Sequence, residues 1–329
     1  MSSDEQVQIS QIRQVILEND LDKEYEFEVS SSSYDLLKAE FTKDEENEQY
    51  PRLFYDWTRQ VITIVTGPSC LHEDTAQYIL TSLSNRLDSI MHREQITLAA
   101  DESVGSSHSP RALVNNGISR YQMEPDGVIF YRTKRSRDFK AVIEVGISET
   151  YDSLLEKARK WIFGKKCNVV ILLSFNERRQ YERPRRRISL TTCEVTERIE
   201  QMRSNWHSQI SYGPLAFRGH TWLEQFSEGF IDVVRINPGS DGSNPLLTRK
   251  IRKSYFVLLH EGRNESSSVP KSVGDIRIGE LIPRESLNNV AASELIIDFF
   301  DAEDFMNIVR GAMIDTAVDR FEAATTVTA

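Results

Sequence analysis

The sequence predicts an α/β domain with a mixed central sheet, preceded by an N-terminal arm and followed by a C-terminal extension. The first observation behind this prediction is the spacing of apolar residues between His72 and Met91, which is that of an amphipathic helix. The second is a β-hairpin pattern over residues 126–145, followed by another amphipathic helix at 150–163. The third is the continuous apolar run of residues 168–175, which is typical of a strand covered by helices on both faces.

The first fifty residues predict an acidic arm. They contain 14 acidic and 4 basic residues, a net charge of −10, so the other 279 residues are neutral overall. Within this segment, residues 10–18 have helical spacing and residues 25–29 alternate like a strand. The composition changes at Tyr50, and we therefore assign residues 1–49 to the arm and residues 50–236 to the main domain.

The main domain is expected to begin with two strands, at residues 53–57 and 61–65, which end at a Gly-Pro pair. The amphipathic helix at 72–91 follows them. The polar, Ser- and Gly-containing stretch at 101–116 is predicted to be a mobile loop. The two strands of the hairpin would then be joined by a basic tip of six or seven residues at 132–138.

The rest of the chain predicts shorter elements and one linker. A stretch rich in Gly, Ser, Asn and Pro at 237–245 separates the main domain from a C-terminal extension, residues 246–329. We expect this extension to be either a small subdomain or a cover on the main domain. The expected elements are strands at 188–195, 255–259 and 275–281 and helices at 195–202 and 302–321.

The composition excludes several classes of protein. No stretch approaches the ~18 to 20 consecutive apolar residues that span a bilayer, and the first ten residues lack the basic start and apolar run of a signal peptide. The three scattered cysteines, Cys70, Cys167 and Cys193, suit neither a disulfide framework nor a zinc cluster. We therefore expect an intracellular protein, in the nucleus or the cytoplasm, that does not associate with membranes.

Three acidic residues are candidates for chemistry. Asp126 opens one hairpin strand and Glu144 lies near the end of the other, so the two would face one another across the ladder. Glu144 is flanked by apolar residues, and an ionised carboxylate there is costly unless it is paired or bound to a cation. Glu73 lies in the first turn of the helix at 72–91 and is spaced to share its buried face. Carboxylate oxygens in this arrangement suit Mg²⁺ or Mn²⁺.

Four short motifs follow one another along residues 50–175. They are Pro51-Arg52-Leu53, the pair Pro125-Asp126, the turn EVGISE at 144–149, and the pattern L-x-x-x-A-x-x-W from Leu154 to Trp161. This ordered set resembles the PD-(D/E)XK, or restriction-endonuclease-like, superfamily, and in particular a fungal branch of it. The αβββαβ core of that superfamily agrees with the element order that the apolar pattern predicts.

The resemblance implies a metal-dependent phosphodiesterase. By the superfamily's pattern, Asp126 and Glu144 would hold Mg²⁺ or Mn²⁺ as the cofactor, and Glu73 would assist from the first helix. Water on the metal would attack a phosphate of a nucleic acid, because a bound cation polarises the phosphate and lowers the pKa of that water.

One departure from the superfamily's pattern concerns the lysine that stabilises the transition state. The pattern places this lysine two residues after the second carboxylate, on the same strand face, where this chain has Gly146. Some members supply the amine from the following helix instead. Lys157 is the first candidate for that role and Lys160 is the second, while a surface lysine on an amphipathic helix remains the alternative for either.

Basic residues cluster around these motifs. Residues 120–190 contain 17 Lys or Arg and 9 Asp or Glu, a local net charge of +8. Such an excess favours a polyanionic partner, here DNA or RNA, bound largely through its phosphates, although each run alone could be an ordinary solvated surface. The predicted contacts are Arg132, Lys134, Arg135 and Arg137 in the hairpin tip and Arg185, Arg186 and Arg187 after the buried strand.

Two functions are therefore expected from the sequence. The first is a Mg²⁺-dependent nuclease, a hydrolase acting on phosphodiester bonds. The alternative is a catalytically degenerate nuclease fold that binds nucleic acid or a protein partner, with the acidic arm covering the basic face or recruiting the partner. A homodimer is a further expected assembly, because nucleases of this fold often pair. The discriminating geometry is whether Asp126, Glu144 and an ammonium from Lys157 or Lys160 meet in one pocket.

Overall fold

The computed structural model describes residues 3–18, 21–41, 51–110, 112–115, 120–179, 181–184, 187–207, 212–236, 246–247, 254–256 and 274–328. Helices and sheets are both present, which confirms the predicted α/β class. The helices are α1 (Ser3–Glu18), α2 (Ser31–Phe41), α3 (Cys70–Arg93), α4 (Tyr151–Arg159), α5 (Thr192–His207), α6 (Ile278–Leu281) and α7 (Ala302–Ala323), and α4 continues into a π-helical turn, Lys160–Gly164.

The strands belong to two larger sheets and three small two-stranded ones. They are β1 (Glu24–Glu28), β2 (Arg52–Asp56), β3 (Val61–Val65), β4 (Ser103–Ser107), β5 (Ala112–Asn115), β6 (Arg120–Met123), β7 (Gly127–Arg132), β8 (Arg137–Ile147), β9 (Val169–Glu177), β10 (Ile188–Thr191), β11 (Leu215–Phe217), β12 (His220–Leu223), β13 (Phe226–Ile236), β14 (Leu246–Leu247), β15 (Ser254–Phe256), β16 (Ile276–Arg277), β17 (Ile296–Ile297) and β18 (Thr325–Thr328).

The larger sheet has seven strands in the order β14-β13-β9-β8-β7-β4, with β15 also paired to β13. Strands β8 and β9 pair in parallel, whereas β7 pairs antiparallel with both β4 and β8, so the sheet is mixed. Because parallel neighbours need a crossover connection, α4 and its π-helical turn lie between β8 and β9 in the chain. In the chain, the elements of this sheet and the helices beside it follow in the order α3, β4, β7, β8, α4 and β9, and β5 and β6 of the other sheet come between β4 and β7.

Helices cover both faces of the seven-stranded sheet, as predicted from the apolar run at 168–175. On β9, Ile171 and Leu173 belong to the same hydrophobic cluster as residues of α3 and α7. Val170 and Leu172, which alternate with them, belong to the cluster on the α4 face. A strand buried on both faces cannot show apolar and polar residues in alternation, which explains its uniform sequence.

The second sheet has five antiparallel strands in the order β1-β3-β2-β6-β5. One of its faces packs on α1 and α2, through a core that includes Ile12, Leu37, Ile62 and Ile64. Glu24–Glu28 pairs along its whole length with Val61–Val65. The predicted N-terminal arm is therefore joined to the predicted main domain by a shared sheet.

The prediction of a loop at 101–116 was wrong, because this stretch forms β4 and β5. The sequence of β4, SVGSS, lacks the apolar alternation of a half-buried strand. A Cβ atom at Gly105 would lie only 2.8 Å from the ring of Phe130 on the neighbouring strand. Small residues in β4 thus leave room for a large ring on β7.

Two further predictions need correction. The hairpin tip is a tight turn, in which the N–H of Thr133 donates to the carbonyl of Ser136, so the strands extend further than expected. The expected strand at 275–281 ends after two residues, because Glu280 accepts a hydrogen bond from the N–H of Arg277 and begins α6. The linker at 237–245 and the expected strand beyond residue 256 lie outside the described residues.

The C-terminal helix is confirmed and extends over Ala302–Ala323. It packs on α3, and its residues Phe305, Val309 and Phe321 are buried in the cluster that contains Leu80 and Leu83. Within the described part of the chain, no helix is long and apolar enough to cross a membrane.

Candidate active site

Asp126 and Glu144 lie side by side at one end of the β7–β8 hairpin, as the sequence predicts. Gly127 is paired with Ile143, and the backbone N–H of Asp126 donates to the carbonyl of Ile143 over 3.1 Å. The N–H of Val145 donates to Oδ2 of Asp126 over 2.7 Å. This bond holds the carboxylate of Asp126 against the strand that carries Glu144.

Glu144 is buried between β8 and the π-helical turn, with 5% of its surface exposed. Its Oε1 accepts a hydrogen bond from Nε1 of Trp161 over 2.5 Å. Burial, reinforced by the charge of Asp126, raises the pKa of Glu144 to about 8, although Lys157 and the Trp161 hydrogen bond oppose the shift. Without a bound cation, Glu144 is therefore largely protonated at neutral pH.

His72 is a neighbour of Asp126 that the sequence analysis did not select. Its Nε2 lies 2.9 Å from Oδ1 of Asp126, and its Nδ1 lies 3.5 Å from Oδ1 of Asp22. Burial alone would lower the pKa of His72, but the charge of Asp126 and contacts with Asp22 outweigh it and raise the pKa to about 10. Asp22 also accepts a hydrogen bond from the N–H of Ser69, the N-cap of α3.

One sequence signal could have indicated His72. It lies four residues before Ala76 and seven before Ile79, so it continues the buried stripe of α3. The expectation that Glu73 lies on this buried face was wrong, because Glu73 is exposed. Glu73 does not line the cavity described next, whereas His72 does.

The ammonium of Lys157 lies in the same cavity as Asp126 and Glu144. Its Nζ is 3.0 Å from Oε2 of Glu149 and 3.2 Å from Oε2 of Glu24 on β1. Burial alone would lower the pKa of Lys157, but the surrounding carboxylates raise it, so the side chain stays charged. Lys160 also lines the cavity.

The surroundings of Gly146 leave little room for a lysine at this position of β8. A Cβ atom there would lie 3.0 Å from Cδ1 of Leu154 and 3.1 Å from Oε2 of Glu149. A side chain at residue 146 would therefore crowd the carboxylate that binds Lys157. The ammonium of Lys157, which is carried by α4, lies 3.0 Å from Oε2 of this same Glu149.

The cavity has a volume of about 480 Å³ and lies between two walls. One wall consists of residues of β1, β2 and β3, and the other consists of the end of β8 and the first turns of α4. Carboxylates of the first wall, Glu24 and Glu26, come from the predicted acidic arm. The site is thus assembled from both sheets.

Two observations fit a divalent cation here. Asp126 and Glu144 offer hard oxygen ligands, and Mg²⁺ commonly uses only one or two carboxylates together with water and substrate phosphate. Burial opposes ionisation of Asp126, but the charge of His72, whose Nε2 lies 2.9 Å from Oδ1, lowers the pKa of Asp126 and keeps this carboxylate able to bind a cation. Among the described residues, there is no group of three or more His, Cys, Asp or Glu side chains that could hold a metal ion by itself.

The predicted nucleic-acid contacts that the structure describes do not line the cavity. Arg132 and Arg137 are paired at the turn of the β7–β8 hairpin, and seven residues of extended strand separate Arg137 from Glu144, which is about 23 Å. The guanidinium of Arg137 stacks 3.8 Å above the ring of Phe130. Lys134, Arg135 and Arg187 are exposed, whereas Arg185 and Arg186 lie outside the described residues.

Replacing Glu144 with glutamine is expected to flatten the dependence of stability on pH in the metal-free protein. The pKa of Glu144 is raised in the folded state, so its contribution to the free energy of unfolding is complete below pH about 4.5 and is lost as the pH rises through about 8. Glutamine keeps an acceptor for Trp161 but cannot ionise.

Urea unfolding with a chelator between pH 5 and 9 measures this difference. Wild type should lose stability relative to Glu144→Gln as the pH rises, and the gap should close at the acid end. Parallel stability curves for the two proteins would contradict the assignment of a buried, protonated Glu144.

Comparisons with known proteins identify no relative of the chain. No family model, no curated protein and no solved structure matches the chain. Membership in the superfamily that residues 50–175 resemble therefore stays a prediction. The site itself combines two adjacent carboxyl groups with an imidazole and an ammonium in one cavity, and burial raises the pKa of one of these carboxyl groups, that of Glu144.

Proposed function

We propose that the chain is a metal-dependent nuclease with a restriction-endonuclease-like core. The observation that carries the proposal is the ammonium of Lys157 in one cavity with Asp126 and Glu144. Further support comes from the order α3, β4, β7, β8, α4, β9, which has the αβββαβ pattern expected from the sequence.

Asp126 and Glu144 would hold Mg²⁺ or Mn²⁺, which when bound polarises a phosphate and lowers the pKa of water. The hydrogen bond from Val145 fixes the orientation of Asp126, and that from Trp161 fixes Glu144. A carboxylate must lose its proton before it binds a cation, and the raised pKa of Glu144 therefore favours activity that increases from acid toward weakly alkaline pH.

The ammonium of Lys157 would act on the phosphate, whereas His72 would act on Asp126. Lys157 stabilises negative charge that develops on phosphate oxygens, and such preorganised charge is worth most in a site that excludes water. In the free protein this ammonium is held by Glu24 and Glu149, which keeps it in the cavity. His72 orients Asp126 from the opposite side through their 2.9 Å contact.

A catalytically degenerate binding module is the second candidate function. The same ion pairs favour it, because both Glu24 and Glu149 compete with a phosphate for Lys157. Its expected behaviour is binding of nucleic acid or of a protein partner without cleavage. The exposed basic residues of the hairpin turn would serve either function as phosphate contacts.

The test is cleavage of labelled single- and double-stranded DNA and RNA with Mg²⁺ or Mn²⁺ and with a chelator. Lys157→Met is expected to reduce the cleavage rate roughly 10²- to 10³-fold, the usual effect of removing one charge-stabilising donor. Lys140→Met is the matched control, because Lys140 also pairs with a carboxylate, that of Asp138, but does not line the cavity.

The outcomes separate the two candidates. Metal-dependent cleavage that Lys157→Met reduces and Lys140→Met leaves intact supports the nuclease. Binding of the same probes without cleavage under every metal condition contradicts the nuclease and leaves the binding module. Equal loss in both lysine variants would remove Lys157 from its assigned role.

A further inference from the structure

The cavity that holds Asp126 and Glu144 is closed on the side opposite α4 by a wall of β-strands. Residues of β2 and β3 that point away from α1 and α2, among them Arg52, Phe54 and Thr63, line this wall. The other faces of the same strands carry Leu53, Tyr55 and others into the core against α1 and α2. The wall is thus one face of a sheet whose other face is fully packed.

This wall is firmly anchored. Strand β3 is hydrogen-bonded to both β1 and β2, and the hydroxyl of Tyr55 donates to the carbonyl of Val29 over 2.8 Å. The ring of Tyr55 also stacks on that of Tyr34, with 4.6 Å between their centroids. Moving β2 out of this sheet would break these contacts, so the wall keeps its own shape.

The volume of about 480 Å³ lies within the roughly 300–1,000 Å³ of pockets that hold one small ligand. This is room on the scale of a nucleotide, so a base-paired duplex would have to unpair before one of its strands entered. A single strand can enter, because it needs room for one backbone and its unpaired bases. The dimensions of the cavity therefore select the form of the nucleic acid.

Phe54 supplies the surface that an unpaired base requires. It is half-buried on the cavity side of β2, and no aromatic ring in the described part of the chain stacks on it. Lys157 and Lys160 lie on the opposite wall. A strand between the walls would place its phosphates against the lysines, where they take the place of Glu24 and Glu149 on Lys157, and a base against the ring. Positive charge beside an aromatic ring is the combination that single-strand binding sites use.

Building on the proposed nuclease, we infer that the substrate is single-stranded nucleic acid and that a base beside the reacting phosphate stacks on Phe54. DNA and RNA share this chemistry, since both have a phosphate backbone and a base with a π-face. A duplex would be acted on only where an end or a gap provides an unpaired strand.

The experiment measures the affinity of the full chain, with a chelator present, for labelled oligonucleotides of roughly 20 nucleotides, longer than the ~4 to 16 that a single-strand site covers. The probes are single-stranded DNA, single-stranded RNA and a blunt duplex of the same sequence. Phe54→Ala removes the ring and Phe54→Trp keeps an aromatic face. Phe163→Ala is the control, because Phe163 is 38% exposed and lies outside the cavity.

Wild type is expected to bind at least one of the single strands about tenfold or more tightly than the duplex. Phe54→Ala should weaken that binding roughly 5- to 100-fold, the range for loss of one stacked base. Phe54→Trp and Phe163→Ala should bind like wild type, which also shows that the fold tolerates substitution. Equal affinity for duplex and single strands, no binding of any probe, or an unaffected Phe54→Ala would overturn the inference.

Failure of the inference can be told apart from failure of the nuclease. Single-strand binding that depends on Phe54, without cleavage in Mg²⁺ or Mn²⁺, supports the inference and contradicts the enzyme. Metal-dependent cleavage within a continuous duplex, lost in Asp126→Asn, supports the enzyme and contradicts the inference.

Discussion

Replacing Asp126 with asparagine is expected to lower metal-dependent cleavage on the order of 10⁴-fold, the usual size of the loss when a central catalytic group is removed. Asparagine has the shape of aspartate and can still accept the hydrogen bond from Val145. What disappears is the charge, and with it both a cation ligand and the partner of His72. The fold should therefore survive while the chemistry does not.

A spectroscopic measurement makes this prediction independent of activity. The charge of Asp126 outweighs the effect of burial and raises the pKa of His72 to about 10. In Asp126→Asn, only Asp22 remains to oppose the lowering of the His72 pKa by burial, so this pKa should fall. NMR titration of the imidazole in metal-free wild type and variant measures the shift.

The matched control is Glu26→Gln. Glu26 is another carboxylate of the same cavity, on the strand wall, where it pairs with Arg59. Its neutralisation should leave both cleavage and the pKa of His72 close to their wild-type values. Undiminished cleavage by Asp126→Asn, or an equal loss in Glu26→Gln, would contradict a specific role for Asp126.

The central part of the fold could be predicted because its sequence patterns are local. The spacing within α3, the hairpin of β7 and β8, and the uniform apolar sequence of β9 each report burial of one segment. Strand β4 could not be predicted in this way, since Gly105 is there to fit the ring of Phe130. The small size of Gly105 is required by a residue 25 positions away in the sequence, and the strand itself has no apolar periodicity.

The candidate site was predictable to the same extent. Asp126 and Glu144 belong to one hairpin, so their adjacency follows from the register of two neighbouring strands. His72 reaches Asp126 only because α3 begins beside the start of β7. Asp22, which has a left-handed backbone conformation with φ 56°, joins them from a turn. Contacts of this kind depend on the packing of separate elements, for which the sequence has no local signal.

The pairing of Lys157 with Glu24 belongs to the same class of contact. The sequence identifies the helix of Lys157 and the acidic composition of the arm separately. Only the shared five-stranded sheet brings β1 to the cavity, where Glu24 lies 3.2 Å from the ammonium. The negative charge of the arm is thus part of the electrostatics of the site.

A second large effect is expected at the buried ion pair between Arg320 of α7 and Glu177 of β9. Their side chains are 6% and 1% exposed, and Arg320 makes two bonds to the carboxylate, of 2.7 and 3.1 Å. It also donates to the carbonyl of Trp222 and lies over the ring of Tyr181. This pair connects the C-terminal helix to the central sheet.

Arg320→Met is expected to lower the free energy of unfolding by about 3–5 kcal/mol, because it leaves the charge of Glu177 buried without its partner. Adding Glu177→Leu should restore part of the loss, since the double variant has no buried charge. Arg13→Met is the control, because Arg13 and Glu40 also join two elements but are 49% and 41% exposed. Exposed pairs contribute about 0–1 kcal/mol, so urea unfolding that gave equal losses at both sites would contradict the role assigned to burial.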